Sequence, residues 1–147
     1  MNPAELLATV PFAHRAGLEV VHSEPGHAVV RIPNHRDNQN HVGSVHAAAL
    51  VLVGETAGGL ALLGHPRLKG LLLLAKGLQI RYRRPALAAC NAHARVTEEQ
   101  IDGALARMAD AGKADLPLGI EVRSDEGEVL CELTVDFHLR PRPAPKC

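Results

Sequence analysis

Residues 40–55 read Asn-His-Val-Gly-Ser-Val-His-Ala-Ala-Ala-Leu-Val-Leu-Val-Gly-Glu. Gly43 marks a turn, and Ser44 is the predicted N-cap of a helix with His46 in its first turn. Glu55 follows about two turns further in. From Val45 to Leu63 the run is otherwise almost wholly apolar or small. A carboxylate inside such a helix is costly to bury unless it is paired, neutral or used. The start of the helix offers free N–H groups that polarise a carbonyl or hold an anion. An acid together with backbone donors is the minimum equipment for acyl chemistry. The run approaches the length of a membrane span, but Glu55, Gly54, Gly58 and Gly59 argue against one. A helix apolar on all sides is instead expected at the centre of a domain.

Upstream, Asn2 and Pro3 signal a short opening helix over Pro3–Ala8. Leu18 and Val20, then Ala28, Val30 and Ile32, alternate with other residues around Glu24-Pro25-Gly26, the pattern of a hairpin. A polar loop, 34–40, leads into the central helix, and His65-Pro66 ends it. Downstream, a Leu run passes into alternation: Leu78, Ile80 and Tyr82 share one face of a predicted strand, and Gln79, Arg81 and Arg83 the other. Pro85 stops it. Cys90, Ala92, Ala94 and Val96 mark a further strand. Thr97-Glu-Glu-Gln100 is a capping box, Ile101, Ala104, Leu105, Met108 and Ala111 form the apolar face of the helix it opens, and Gly112 caps the end. Leu118, Ile120 and Val122, a turn at 125–127, and a long alternation from Val129 to Leu139 complete the pattern. The expectation is one α+β domain over 1–147, with its core at about 12–139 and a flexible tail at 140–147.

Sixteen basic and sixteen acidic residues balance, and Phe12, Tyr82 and Phe137 are the only aromatics. Neither a nucleic-acid-binding surface nor a membrane-binding one is indicated. Cys90, Cys131 and Cys147 lack the spacing of a disulfide frame or zinc site, and are expected in the core. Glu5 and Pro11 interrupt any N-terminal signal pattern, so a reduced, cytoplasmic protein is expected. His35, His41 and His46 invite a metal reading, but they straddle a loop and lack a companion acid motif; no metal site is expected.

The order of elements, with Asn40, Gly43, His46, Ala47-Ala48 and Glu55 in place, resembles the hotdog-fold acyl-CoA thioesterases, specifically the PaaI-like and DUF4442-type group. The resemblance runs from about Phe12 to Leu139. It implies an antiparallel sheet wrapped around the long apolar helix. It also implies hydrolysis of an acyl-CoA or acyl-carrier thioester, with no cofactor. In that group the acid attacks or activates water, and the amide eight positions earlier polarises the thioester carbonyl. Carried over, these are Glu55 and the N–H of Ala47, where the family more often has Gly. His46 would position or orient the substrate, and Asn40, Gly43 and Ala48 would surround it.

Geometry adds an independent constraint. Eight residues of one helix separate Ala47 from Glu55 by roughly 12 Å, so both cannot touch one carbonyl. Two antiparallel helices across a two-fold axis would bring them together, which implies a homodimer or a dimer of dimers. Plainer readings stand beside these: Glu55 as a structural acid, His46 as a cap, Asn40 as a loop brace, Gly43 as a turn residue. Arg81, Arg83 and Arg84 are candidates for the phosphates of coenzyme A, or an ordinary solvated edge. A non-catalytic acyl-CoA-binding module remains an alternative. A hotdog hydratase or dehydratase is another, though its His-Phe-Pro-type signature is missing.

Overall fold

The structure, a computed structural model, describes residues 2–145. Two short helices, α1 (Pro3–Ala8) and α2 (Pro11–Arg15), precede the hairpin β1 (Glu19–Glu24) and β2 (His27–Ile32). The central helix α3 (Ala47–Leu63) follows, then β3 (Leu71–Tyr82), β4 (Cys90–Arg95), α4 (Glu98–Ala111), β5 (Ala114–Ser124) and β6 (Val129–Pro141). The six strands form one sheet in the order β1-β2-β4-β5-β6-β3, and every pairing is antiparallel. α3 carries the chain from β2 to the far edge and touches all six strands. The sheet curls around it, as the apolar run requires.

Alternation decides which side chains meet the helix. Ala28, Val30 and Ile32 of β2, Ala92 and Ala94 of β4, Leu118, Ile120 and Val122 of β5, and Leu133, Val135 and Phe137 of β6 are all buried. Their neighbours on the opposite face are largely polar, as the two-residue period of a strand demands. Close approach of α3 depends on two glycines. A Cβ on Gly54 would lie 2.8 Å from a Leu133 methyl, and one on Gly58 would lie 2.9 Å from the Phe137 ring. The far end of α3 is tied to α4: buried His65 sits 2.8 Å from the Glu98 carboxylate. No helix among the described residues is long and apolar enough to cross a membrane.

Several boundaries differ from expectation. α3 begins at Ala47 with His46 as its N-cap, not at Ser44. Ser44 hydrogen-bonds back to Asn40 within the preceding loop, so its hydroxyl is engaged before the helix starts. Pro11–Arg15 is helical, and Phe12, expected at the margin of the core, is 67% exposed. β5 starts at Ala114, earlier than the apolar residues alone suggested, because Leu116 extends the buried alternation. Arg140 and Pro141, expected in a flexible tail, pair with Leu72 and Leu71 of β3. The capping box at Thr97 and the left-handed Gly112 both form, and Cys90 and Cys131 are buried. Cys147 lies outside the described residues.

Candidate active site

The loop before α3 is built by two asparagines. The Asn40 side-chain oxygen accepts from the amides of Val42 and Ser44 at 3.0 and 3.2 Å. Its Nδ2 donates to Ser44 Oγ at 2.7 Å. Gly43, at φ +79°, turns the chain in the left-handed region that glycine adopts without strain. Buried Asn38 donates to the carbonyls of Ala16 and Pro33, and its own carbonyl receives the His46 amide at 2.7 Å. These contacts fix the direction in which the chain enters α3.

His46 then caps the helix with its ring. Nδ1 accepts from the Ala48 amide at 2.9 Å. An accepting Nδ1 on a neutral imidazole places the ring proton on Nε2, leaving a donor on the exposed side. The amides of Ala49 and Leu50 both reach the His46 carbonyl. Among the described residues, the Ala47 amide alone in this first turn has no acceptor. The shifted helix start explains this. A Ser44 N-cap would have directed its hydroxyl at the amide of His46 or Ala47.

Beside this turn lies a shallow cleft of about 340 Å³, lined by Asn40, Ser44, Ala47, Tyr82, Arg83 and Arg84 among others. Tyr82 was noted in the sequence only as a strand residue. Here its hydroxyl donates to the Ala47 carbonyl at 2.9 Å and ties the end of β3 to the first turn of α3. Its polar tip at a strand end, in a chain with so few aromatics, was the available signal. Arg83 and Arg84 reach the cleft but are already engaged. Arg83 donates twice to Glu132 Oε2, at 2.9 and 2.7 Å, and Arg84 lies 2.5 Å from Glu128. Arg81 does not line this cleft: it lines a depression on the outer face of the sheet with Gln79, Thr134 and Glu132, the same glutamate that Arg83 holds.

Glu55 sits apart from the cleft, two turns along α3 and half-buried. Among the described residues its carboxylate has neither a hydrogen bond nor a cation beside it, and burial alone raises its pKa. It occupies the open side of the helix with Val51 and Gly59, where a Cβ on Gly59 would meet nothing within 4 Å. β3, which α3 also contacts, is an edge strand paired on one side only, with β6. Leu78 and Tyr82 point to the helix side of the sheet, opposite buried Val135 and Cys131, yet remain 39% and 46% exposed. The chain therefore presents a free amide, an unpartnered acid and an uncovered apolar margin, and Tyr82 of that margin is the residue that touches Ala47.

Comparison with known proteins agrees with this architecture. Residues 4–139 match the family described as a domain of unknown function, DUF4442. The chain belongs to that family, and its fold is a thioesterase-like hotdog. A Pseudomonas aeruginosa protein of unknown function, described as a probable thioesterase, is 30% identical with a TM-score of 0.85, covering 95% of this chain and 94% of that one. A mutant form of the phenylacetic acid degradation protein PaaI from Thermus thermophilus is 25% identical with a TM-score of 0.66, covering 88% and 98%. A thioesterase family protein from Silicibacter pomeroyi shares the fold at 16% identity and a TM-score of 0.76, covering 95% and 96%. No curated protein matches the chain.

Proposed function

We propose that the protein hydrolyses acyl-CoA or acyl-carrier thioesters as a homodimer, with Glu55 of one protomer facing the partner's Ala47. The observation that carries this reading is the pair of unengaged groups on α3: the Ala47 amide without an acceptor and the Glu55 carboxylate without a donor. A thioester carbonyl oxygen held by the Ala47 N–H becomes more electrophilic at carbon, and the same donor stabilises the oxyanion that forms on attack. Glu55 takes a proton from water as the water oxygen bonds to that carbon. Collapse of the intermediate breaks the C–S bond and releases a thiolate, which needs no acid to leave. Attack by the carboxylate itself, through a mixed anhydride that water then opens, uses the same placement.

Burial suits Glu55 to either task, because a desolvated carboxylate is more basic than one in water. His46 offers its Nε2–H to the substrate, while Asn40 and Gly43 hold the loop that shapes the cleft, and Ala48 contributes a small wall. Arg83 and Arg84, at the cleft margin, exchange their carboxylate partners for the phosphates of coenzyme A. Arg81, outside the cleft lining, contributes only through its charge. A resident metal or cofactor has no part in this scheme.

The test is turnover of an acyl-CoA series with detection of free thiol, in wild type, Glu55→Gln and Ala47→Pro. Loss of a general base is expected to lower kcat by ~100-fold or more. Ala47→Pro removes the free N–H at a position where proline is favoured in helices, and His46 already has the extended backbone that precedes proline. Turnover is expected to fall ~100- to 1000-fold, while Ala47→Gly remains active. Full activity in a folded Glu55→Gln or Ala47→Pro protein would remove that residue from the mechanism.

A further inference from the structure

The β1–β2 hairpin carries a second cluster, on the outer face of the sheet. Glu24 and His27 are cross-strand partners, and His22 lies two residues before Glu24 on the same strand. His22 reaches that face only because of a β-bulge. Val20 pairs with buried Val30, so plain alternation would send His22 toward the core with it. The register shift between Val20 and His22 inserts Val21 as an extra residue and turns His22 outward, opposite Val29.

The three side chains converge. His22 Nε2 lies 3.6 Å from Glu24 Oε1, and His27 Nδ1 lies 3.2 Å from the same oxygen. One donor atom from each of the three falls within 4.8 Å of the others. The two imidazole rings have centroids 4.7 Å apart. A tetrahedral ion with bonds of about 2.1 Å sets its ligands roughly 3.4 Å apart, close to the distance of each imidazole nitrogen from the Glu24 oxygen.

We propose that His22, Glu24 and His27 form a binding site for a zinc-class divalent ion at the tip of the β1–β2 hairpin. Two imidazole nitrogens and one carboxylate oxygen suit Zn²⁺ and its first-row neighbours, whereas Mg²⁺ and Ca²⁺ demand oxygen-rich sets. Three protein ligands leave a coordination position for water. Arg95 Nη2 stands 3.2 Å from His27 Nδ1. Guanidinium only donates and so wants a bare Nδ1, whereas the Glu24 carboxylate on the same nitrogen only accepts and wants its proton; a cation bound between Nδ1 and the carboxylate removes that conflict. Arg95 is exposed and swings into solvent when the ion takes its place. The bound ion ties edge strand β1 to β2. It does so by the C-terminal end of α3, where the Glu24 carbonyl would be 4.0 Å from a Cβ on Gly64. That is the far end from Ala47, so the site stands independently of the thioester reading.

The test is calorimetric titration of tag-free, chelator-treated full-length protein with ZnCl₂, with thermal melts in parallel. One ion per chain is expected, with a rise in Tm. His22→Ala, His27→Ala and Glu24→Gln are each expected to weaken binding at least ~10-fold, since loss even of a partner outside the ligand set can cost that much. His22→Gln and His27→Gln serve if an alanine variant fails to fold. His35→Ala/His41→Ala, in the loop before α3, should leave affinity unchanged, and Arg95→Ala should bind at least as tightly. Absence of zinc binding, zinc binding that survives loss of both His22 and His27, or equal binding of Mg²⁺ would overturn the assignment.

Discussion

Ala47 and Ala48 are adjacent, identical in type and both exposed, yet their amides differ in function. The Ala48 N–H is taken by the His46 ring, whereas the Ala47 N–H is free. Sequence reasoning named Ala47 through a resemblance, but it placed the cap two residues too early. A one-turn stretch containing both Ser and His offers two plausible caps, and only the Asn40–Ser44 hydrogen bond decides between them. Glu55 was legible for a simpler reason: a lone carboxylate in an apolar run conflicts with its surroundings. That conflict has a cost that can be measured. Burial raises the Glu55 pKa, so the folded chain holds its proton to higher pH than the unfolded chain does. Native protein therefore binds more protons between the ordinary glutamate value and the raised one. Stability falls as pH rises through that window, and the deficit persists at neutral pH. Glu55→Gln is expected to be more stable than wild type at pH 7, with the difference vanishing below the ordinary glutamate range. Urea unfolding at a series of pH values measures this; equal midpoints at pH 7 would show that Glu55 carries no burial penalty.

At the scale of elements, α3 could be read from its composition, but its fit to the sheet could not. In the sequence Gly54 and Gly58 argued only against a membrane span, and glycine in a helix costs about 1 kcal/mol relative to alanine. In the structure they lie where a Cβ would strike Leu133, Phe137 and Ile120. Which of the α3 glycines face the sheet depends on the helix's rotation, and a helix apolar on all sides carries no moment to announce it. Gly58→Val is expected to destabilise the fold by about 1–3 kcal/mol through overpacking against the Phe137 ring, read as a lower urea midpoint. A variant as stable as wild type would mean that α3 can lift from the sheet without loss. The strands were more legible, because a period of two survives any rotation. Their ends were not, since charged residues such as Arg140 pair at an edge as readily as apolar ones.

For the whole molecule, the open margin is the main feature. β3 runs twelve residues along an edge of the sheet with no strand beyond it. Such edges invite pairing unless blocked. Its inward-facing Leu78 and Tyr82 remain uncovered, and Glu55 is half-buried on α3, which contacts β3. Pairing of two copies along β3 would cover this margin and bring opposed helices near each other. The chain is accordingly expected to sediment as a dimer or dimer of dimers. Leu78→Glu, which places a charge where one protomer is already solvated, should give a folded monomer without thioester turnover. An active monomer of either form would contradict a site shared between subunits.

The sequence by itself determined the types of the main elements, though not the helix at Pro11–Arg15, together with the antiparallel α+β class and the central place of the apolar helix. These follow from local periodicity and from the cost of exposing an apolar run. It also singled out Glu55, because a misplaced charge is visible without coordinates. Only tertiary structure decided which backbone donor stays free, that Tyr82 reaches Ala47, that Arg83 and Arg84 line the cleft while Arg81 does not, and that a bulge turns His22 outward. Each of these depends on register, helix rotation or competition among several hydrogen-bond partners. Such quantities are set by contacts between residues far apart in the chain, which local pattern does not encode.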